Sequence, residues 1–205
     1  MMKPSARRLA PVALVVLAGF LAPELLPAQD LHPSRRPSPM GMSRITLDDT
    51  YVRVVYSRPY QRDRDNIFGT EESGALVPFG QIWRTGANEA TEITVTGDVL
   101  VGGELLPAGT YSLFTTPGPD RWTVHFNSEL GLNGTGRFNP ETREFEEGYL
   151  PENDVVVATA EPETLGEDEE VEQFTISFDR TDAGADMVFQ WIDTEVRVPI
   201  ALPSE

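Results

Sequence analysis

The ten residues 83–92 hold the densest set of chemically versatile side chains in this sequence. They include an indole (Trp83), a guanidinium (Arg84), an amide (Asn88) and a carboxylate (Glu89). A guanidinium binds carboxylate or phosphate groups through paired hydrogen bonds, an amide can fix a ligand hydroxyl, and a carboxylate accepts hydrogen bonds or protons. These four residues therefore predict a pocket for a small polar ligand.

Arg58 is a fifth candidate for the same pocket. The competing interpretation is a structural clasp, in which Arg84 or Arg58 pairs with Glu89, Asn88 caps loop amides and Trp83 belongs to the core. Networks of arginine and carboxylate groups often serve only to fix a loop. The sequence leaves both interpretations open and favours the clasp.

His125 is the one histidine that follows His32 in the chain, and it is a candidate general base. It alternates with Val124 and Phe126, so it lies on the opposite face of its predicted strand, and a solvent-facing position is the favoured interpretation. The chain has no cysteine and no Gly-x-Ser-x-Gly motif, which excludes thiol catalysis and argues against a serine hydrolase. With so few suitable ligands we expect no metal and no cofactor.

The acidic residues suggest two further chemistries. Glu89 and Glu92 form the pair best placed to hydrolyse a glycoside, which requires carboxylates about 5 to 10 Å apart. Oxygen ligands for calcium are plentiful in residues 63–66 and 167–170, but neither run has the spacing of a calcium-binding loop. Solvated charge is the favoured interpretation of both acidic runs.

Tryptophan can also serve as a platform for sugar rings, and the chain has three. Trp122 and Trp191 lie in segments that alternate like strands, which predicts core positions for them. Trp83 could serve either as a platform or as core.

Short alternating segments must position all these groups. Apolar residues recur every second position at 122–126 and 174–178, which puts them on one side of a sheet. Gly102 and Gly103 predict a tight hairpin, and residues 117–120 predict another. No long segment has a helical period. The prediction is an all-β fold, an antiparallel β-sandwich with long loops and with the jelly roll among its forms; a closed barrel is the alternative.

Two segments lack the alternating pattern that predicts strands. Residues 131–151 predict a long loop or an irregular hairpin, and the acidic residues 161–172 predict a solvated loop.

The N-terminus has the pattern of a secretory signal peptide. Lys3, Arg7 and Arg8 precede an apolar run at residues 9–22, and Ala28 follows as the small residue before a cleavage site. We therefore expect cleavage near Ala28 and export to the periplasm or beyond. The apolar run is too short to span a bilayer.

The rest of the chain divides into a flexible leader (29–41), a single domain (42–200) and a short tail (201–205). The whole chain carries a net charge of −17, and residues 1–28 contribute +2, so the mature protein is near −19. Such a polyanion repels nucleic acid, which is therefore not an expected partner. Nothing in the sequence indicates an oligomeric state.

Six phrases stand in the same order as in one bacterial exported family, catalogued as a domain of unknown function, number twenty-nine eleven. They are VYSRP (55–59), IFG (67–69), LVPFG (76–80), IWRTGANEAT (82–91), LPAGTYSL (106–113) and WTV (122–124). The chain resembles this family over residues 42–200. The resemblance implies export and a single β-rich domain, and it implies no activity.

The favoured functional hypothesis is an exported, non-enzymatic protein that binds a small polar ligand, a glycan or another cell-surface component. The first alternative is a hydrolase acting on a sugar-like substrate, with Glu89 as acid or base. The second is a structural envelope protein without a ligand.

Overall fold

The alternating segments form two antiparallel sheets. The computed structural model describes His32 and residues 35–204, so the predicted signal peptide and its predicted cleavage site lie outside the described residues. The strands are β1 (Met40–Leu47), β2 (Thr50–Ser57), β3 (Phe68–Gly69), β4 (Val77–Pro78), β5 (Thr91–Val95), β6 (Val99–Val101), β7 (Glu104–Leu106), β8 (Gly109–Thr116), β9 (Trp122–Asn127), β10 (Gly136–Asn139), β11 (Glu144–Glu147), β12 (Asp154–Ala160), β13 (Pro162–Thr164), β14 (Val171–Thr181), β15 (Gly184–Ile192) and β16 (Thr194–Ala201). Short 3-10 turns lie at Glu71–Ser73, Pro151–Asn153 and Glu167–Glu169.

Sheet I has the strand order β1-β2-β5-β8-β9-β12, and sheet II has the order β14-β15-β16-β6-β7, with β13 also paired to β16. At one side of the fold β1 lies beside β14, and at the other β12 lies beside β7. Where β1 lies beside β14, side chains of sheet I form hydrogen bonds with the backbone of β14. The hydroxyls of Ser43 and Tyr56 both donate to the carbonyl oxygen of Ile176. The all-β sandwich predicted from the sequence is confirmed.

The core lies between the two sheets because one face of nearly every strand is apolar. Trp122, Val124 and Phe126 of β9 and Phe174 and Ile176 of β14 are all buried there, as their alternation predicts. Gly102 and Gly103 join β6 to β7 with φ of 58° and 94°, which glycine adopts without the steric cost that a Cβ would add. The predicted hairpin at this point is confirmed.

A long segment, residues 128–153, crosses the outer face of sheet I. It contains the small hairpin β10–β11, which agrees with the hairpin alternative for residues 131–151. Leu132 and Tyr149 of this segment pack on Phe114 and Ala90 to form a second, smaller apolar cluster. The outer face of sheet I is therefore partly covered by the chain itself.

Two boundaries differ from the sequence-based expectations. Strand β1 begins at Met40, inside the segment expected to be a flexible leader (29–41). The acidic segment 161–172 is mostly exposed, as expected of a solvated loop, but Pro162–Thr164 pairs with β16 as a strand. The alternation signal is too short at three residues to reveal that strand. Within the described residues, no helix has the length and apolar character needed to cross a membrane.

Candidate functional site

Trp83 belongs to the core. Its side chain is buried among Phe68, Trp122, Phe174 and Trp191, and it stacks on Trp191 with ring centroids 6.0 Å apart. Its indole N–H donates to the carbonyl oxygen of Gly86 at 3.1 Å. Trp83 therefore offers no exposed ring face for a sugar. Its packing in the core fixes the start of the loop that carries Arg84, Asn88 and Glu89.

The loop after Trp83 has an unusual backbone. Thr85, Gly86 and Asn88 have φ of 54°, 153° and 57°. A positive φ is a genuine outlier for a β-branched residue such as Thr85, and such outliers cluster at functional sites. A Cβ on Gly86 would lie 2.7 Å from the carbonyl oxygen of Ser57, so only glycine fits there.

Buried hydrogen bonds hold this conformation. The Thr85 hydroxyl donates to Thr115 Oγ1 at 3.1 Å, and the Thr91 hydroxyl donates to the Thr85 carbonyl at 2.6 Å. These bonds fix the backbone on both sides of Gly86, next to Arg84.

Arg84 lies half-buried at the wall of a cavity of about 230 Å³. Its Nε is buried and has no hydrogen-bond acceptor in the described part of the chain. Burial lowers the pKa of Arg84, because water is removed from the charged form without a carboxylate to replace it. The hydration that the buried Nε has lost is not replaced by an acceptor, which costs free energy, so the site is incomplete as the described chain builds it.

Two further arginines, Arg62 and Arg64, line the same cavity, which we call the arginine pocket. The Nε of Arg64 is also buried without an acceptor, while its Nη2 donates to the carbonyl oxygen of Tyr60. None of the described residues that line this pocket is acidic. Three arginines therefore line one pocket with no acidic residue among its described lining, in a protein whose net charge is strongly negative.

The sequence reasoning missed Arg62 and Arg64. Residues 63–66 were considered only as oxygen ligands for calcium. Arg62 lies in a turn and has φ of 56°, so no alternating pattern in the sequence marks Arg62 and Arg64 as neighbours at one pocket. Among the residues the structure describes, no group of three His, Asp or Glu side chains could hold a metal ion.

The N-terminal strap, residues 36–39, closes one side of the arginine pocket. Pro37 accepts a hydrogen bond from Arg62 Nη2 at 3.0 Å, and Ser38 accepts one from Asn88 Nδ2 at 3.2 Å. The backbone N–H of Arg58 donates to Pro39 at 2.9 Å. Asn88 thus holds the strap rather than loop amides.

Glu89 binds the first residue of the strap. Arg36 Nη1 donates to both carboxylate oxygens, at 2.5 and 2.6 Å, and the Arg36 side chain is only 8% exposed. The clasp expected between Glu89 and Arg84 or Arg58 is therefore not formed. Glu89 pairs instead with Arg36, which lies 53 positions earlier in the chain, and no local sequence pattern connects the two residues.

Arg58 lies outside the arginine pocket. Its Nε donates to the carbonyl oxygen of Phe174 at 3.2 Å, and its Nη2 donates to Thr175 Oγ1 at 2.8 Å. It joins the end of β2 to the edge of sheet II.

Glu89 and Glu92 line a second cavity, of about 250 Å³, together with apolar side chains such as Met40 and Leu132. Partial burial raises the pKa of Glu89, but the hydrogen bonds and the charge of Arg36 outweigh burial, so the pKa lies below its ordinary value. A carboxylate with a lowered pKa is ionised at neutral pH and is a poor general acid. Glu89 and Arg84 also line different cavities, which does not favour the hydrolase hypothesis.

His125 is not solvent-facing, contrary to the interpretation that its strand position favoured. Its side chain is 13% exposed beneath the 128–153 segment. Nδ1 lies 2.9 Å from Asp154 Oδ2, and Nε2 lies 3.1 Å from the hydroxyl of Thr116. Tyr149 also donates to Asp154 Oδ2 at 2.9 Å.

This chain of hydroxyl, imidazole and carboxylate resembles a catalytic triad in outline. These three residues lie on β8, β9 and β12 of sheet I, and Asp154 also accepts from Asn127 Nδ2 of β9 at 2.8 Å. The group therefore joins neighbouring strands of sheet I, and Tyr149 ties the 128–153 segment to it. Burial and the bond to Asp154 raise the pKa of Tyr149. We interpret the group as a structural network, which explains why a histidine lies on this strand face.

Arg84→Met and Glu89→Gln are expected to change stability in opposite directions. Methionine keeps the length of Arg84 and removes a buried charge without an acceptor, so the melting temperature should equal or exceed that of the wild type by about 2–4 °C per kcal/mol gained. Glutamine at position 89 removes the carboxylate that faces the mostly buried Arg36, and should lower stability by about 1 kcal/mol. Thermal unfolding of both variants measures the two shifts.

The pH dependence of the Glu89→Gln effect provides the control. The pKa of Glu89 is lower in the folded state than its ordinary value of 4.5, so its stabilisation is present above that pH and is lost as the pH falls through the lowered pKa. The difference between wild type and Glu89→Gln should therefore shrink in acid. A difference that stays constant from neutral to acid pH would show that the ion pair does not stabilise the fold.

Comparison with known proteins gives one result. No curated protein and no solved structure matches the chain. The model of the family described as protein of unknown function (DUF2911) matches residues 38–200, from the N-terminal strap to β16. The chain therefore belongs to the DUF2911 family.

Proposed function

We propose that the protein binds a small anionic ligand in the arginine pocket and does so without catalysing a reaction. The observation that carries the proposal is the pair of buried Nε groups, of Arg64 and Arg84, that lack acceptors in the described part of the chain. An oxyanion supplies the acceptors that such donors require, and guanidinium forks match its geometry.

The surroundings support the same chemistry. The loop that presents Arg84 holds three positive-φ residues, and local strain of this kind is often retained where it positions a binding group. Three arginines around one cavity also create a local positive field that attracts anions in an acidic protein.

We also propose that the protein acts outside the cytoplasm. The support is the order of charged, apolar and small residues in the first 28 positions. The intact mass of the protein recovered from an exporting host tests this, since a mature chain beginning at Gln29 is expected and an uncleaved chain would contradict it.

Titration of the mature protein with inorganic phosphate tests the binding proposal. The probe is the set of arginine Nε–H resonances in a ¹H–¹⁵N spectrum, because the resonances of Arg64 and Arg84 should shift while those of exposed arginines stay in place. Each charge-assisted hydrogen bond contributes about 1.5–3 kcal/mol, so Arg84→Met should weaken binding about 10- to 100-fold.

Arg53→Met is the matched control, since Arg53 is an exposed arginine on β2 away from the pocket. Its affinity for phosphate should equal that of the wild type. Sodium chloride at equal ionic strength should cause no shift. Equal losses in the two variants, or shifts at all arginines alike, would show only general electrostatic attraction and would overturn the proposal.

A further inference from the structure

We infer that the ligand of the arginine pocket is an organic anion whose charged head is attached directly to a compact apolar body, and not an inorganic ion or a polyhydroxylated sugar derivative. This inference rests on the proposed function and names the class of ligand. It is supported by the residues other than arginine that line the pocket.

Most of the other residues that line the pocket are apolar. They come from five separate segments of the chain: Pro37, Pro59, Leu76 with Val77, Trp83 with Ala87, and Trp191. A site for a bare inorganic ion needs donors on all sides and gains nothing from such walls. Apolar walls beside a few charged groups are instead typical of pockets for small organic molecules.

The indole groups present carbon to the pocket rather than donors. The N–H of Trp83 already donates to Gly86, and that of Trp191 donates to the carbonyl oxygen of Glu172 at 3.3 Å. The amide of Asn88 holds the strap. Among the neutral side chains that line the pocket, this leaves only the hydroxyls of Ser38 and Tyr60, which are too few to recognise several sugar hydroxyls.

The rim carries an unexplained apolar side chain. Leu76 is 47% exposed although it borders the cavity, and Tyr60 beside it is 36% exposed. An apolar ligand body would cover Leu76 and remove its surface from water. The cavity of about 230 Å³ corresponds to the volume of about eight waters, which limits the body to roughly the size of one ring.

Two matched pairs of probes test the inference: acetate against benzoate, and inorganic phosphate against phenyl phosphate, with glucose 6-phosphate as the polar comparison. Calorimetric titration of the mature protein gives each dissociation constant. Covering about 60–80 Å² of apolar surface is worth about 1.5–2 kcal/mol, so each aryl probe should bind about 10- to 30-fold tighter than its small partner.

Leu76→Asn separates the apolar wall from the arginines. It should reduce the preference for the aryl probes several-fold while leaving the affinity for phosphate unchanged, whereas Arg84→Met should weaken all the probes. Leu105→Asn is the control, because Leu105 is equally exposed, at 51%, on β7 and does not border the pocket.

The outcomes separate the two proposals. Equal affinity for aryl and small anions would overturn the inference while the anion-binding function stands, and so would tighter binding of glucose 6-phosphate than of phenyl phosphate. Absence of binding by all five probes would overturn both. An aryl preference that Leu76→Asn leaves intact would place the apolar contact elsewhere and also contradict the inference.

Discussion

Replacing Trp83 by alanine is expected to lower the free energy of unfolding by about 3–5 kcal/mol, the largest loss of any single change considered for this protein. The side chain is 8% exposed and contacts aromatic rings from both sheets, so its removal leaves a cavity at the centre of the sandwich. Aromatic pairs such as Trp83 with Phe174, at 5.1 Å, add to the loss of buried area. Denaturant unfolding measures the change.

Trp83→Phe distinguishes packing from the hydrogen bond to Gly86. Phenylalanine fills most of the cavity but cannot donate to the Gly86 carbonyl. The loss in the free energy of unfolding should therefore fall to about 1–3 kcal/mol, mainly because that buried carbonyl is left without a donor. Because this bond helps to fix the strained loop, Trp83→Phe should also weaken anion binding while the fold remains intact. A Trp83→Ala variant as stable as the wild type would mean that Trp83 is not core and would reopen its use as a ligand platform.

The sandwich could be predicted because period-two alternation is a local signal. Residues 122–126 and 174–178 each carry it over five positions, and Gly102–Gly103 marks a turn whose backbone geometry few other residues adopt. The strand β13 could not be predicted from the sequence, because its three residues, two of them exposed, are too few to show an alternating pattern. They pair with β16 because the tertiary structure brings the two segments together.

The candidate site could be predicted only in part. Residues 83–92 do form a specially shaped loop, but their partners come from distant positions. Arg36 reaches Glu89 from a segment whose composition resembles a disordered leader, and Arg62 and Arg64 come from a loop between β2 and β3. Pairing of charges across such separations depends on the packed fold and leaves no pattern in the sequence. The expected clasp is not formed for this reason, and Arg84, whose buried Nε has no acceptor in the described part of the chain, remains the best candidate.

Asp154 is the residue whose loss should most damage the outer face of sheet I. Asp154→Ala is expected to reduce stability by about 3 kcal/mol, which corresponds to about 6–12 °C in melting temperature for a chain of this size. The carboxylate is 7% exposed and accepts hydrogen bonds from Tyr149 and Asn127 and lies 2.9 Å from Nδ1 of His125. Alanine leaves these buried groups without that acceptor, and each such loss costs about 1–3 kcal/mol.

The loss of stability in Asp154→Ala should be confined to one region of the fold. Tyr149 packs on Phe114 with ring centroids 4.9 Å apart and belongs to the small apolar cluster beneath the 128–153 segment. In Asp154→Ala, amide hydrogen exchange should therefore accelerate in the 128–153 segment and at the start of β12, while the strands of sheet II stay protected. Asp182→Ala, at an exposed position in the turn between β14 and β15, should change neither quantity. Asp154→Asn keeps the shape and one acceptor oxygen and should lose about half as much. If Asp154→Ala melts like the wild type, the network does not hold the segment, and the arrangement of Thr116, His125 and Asp154 would then have to be explained by a role other than stability.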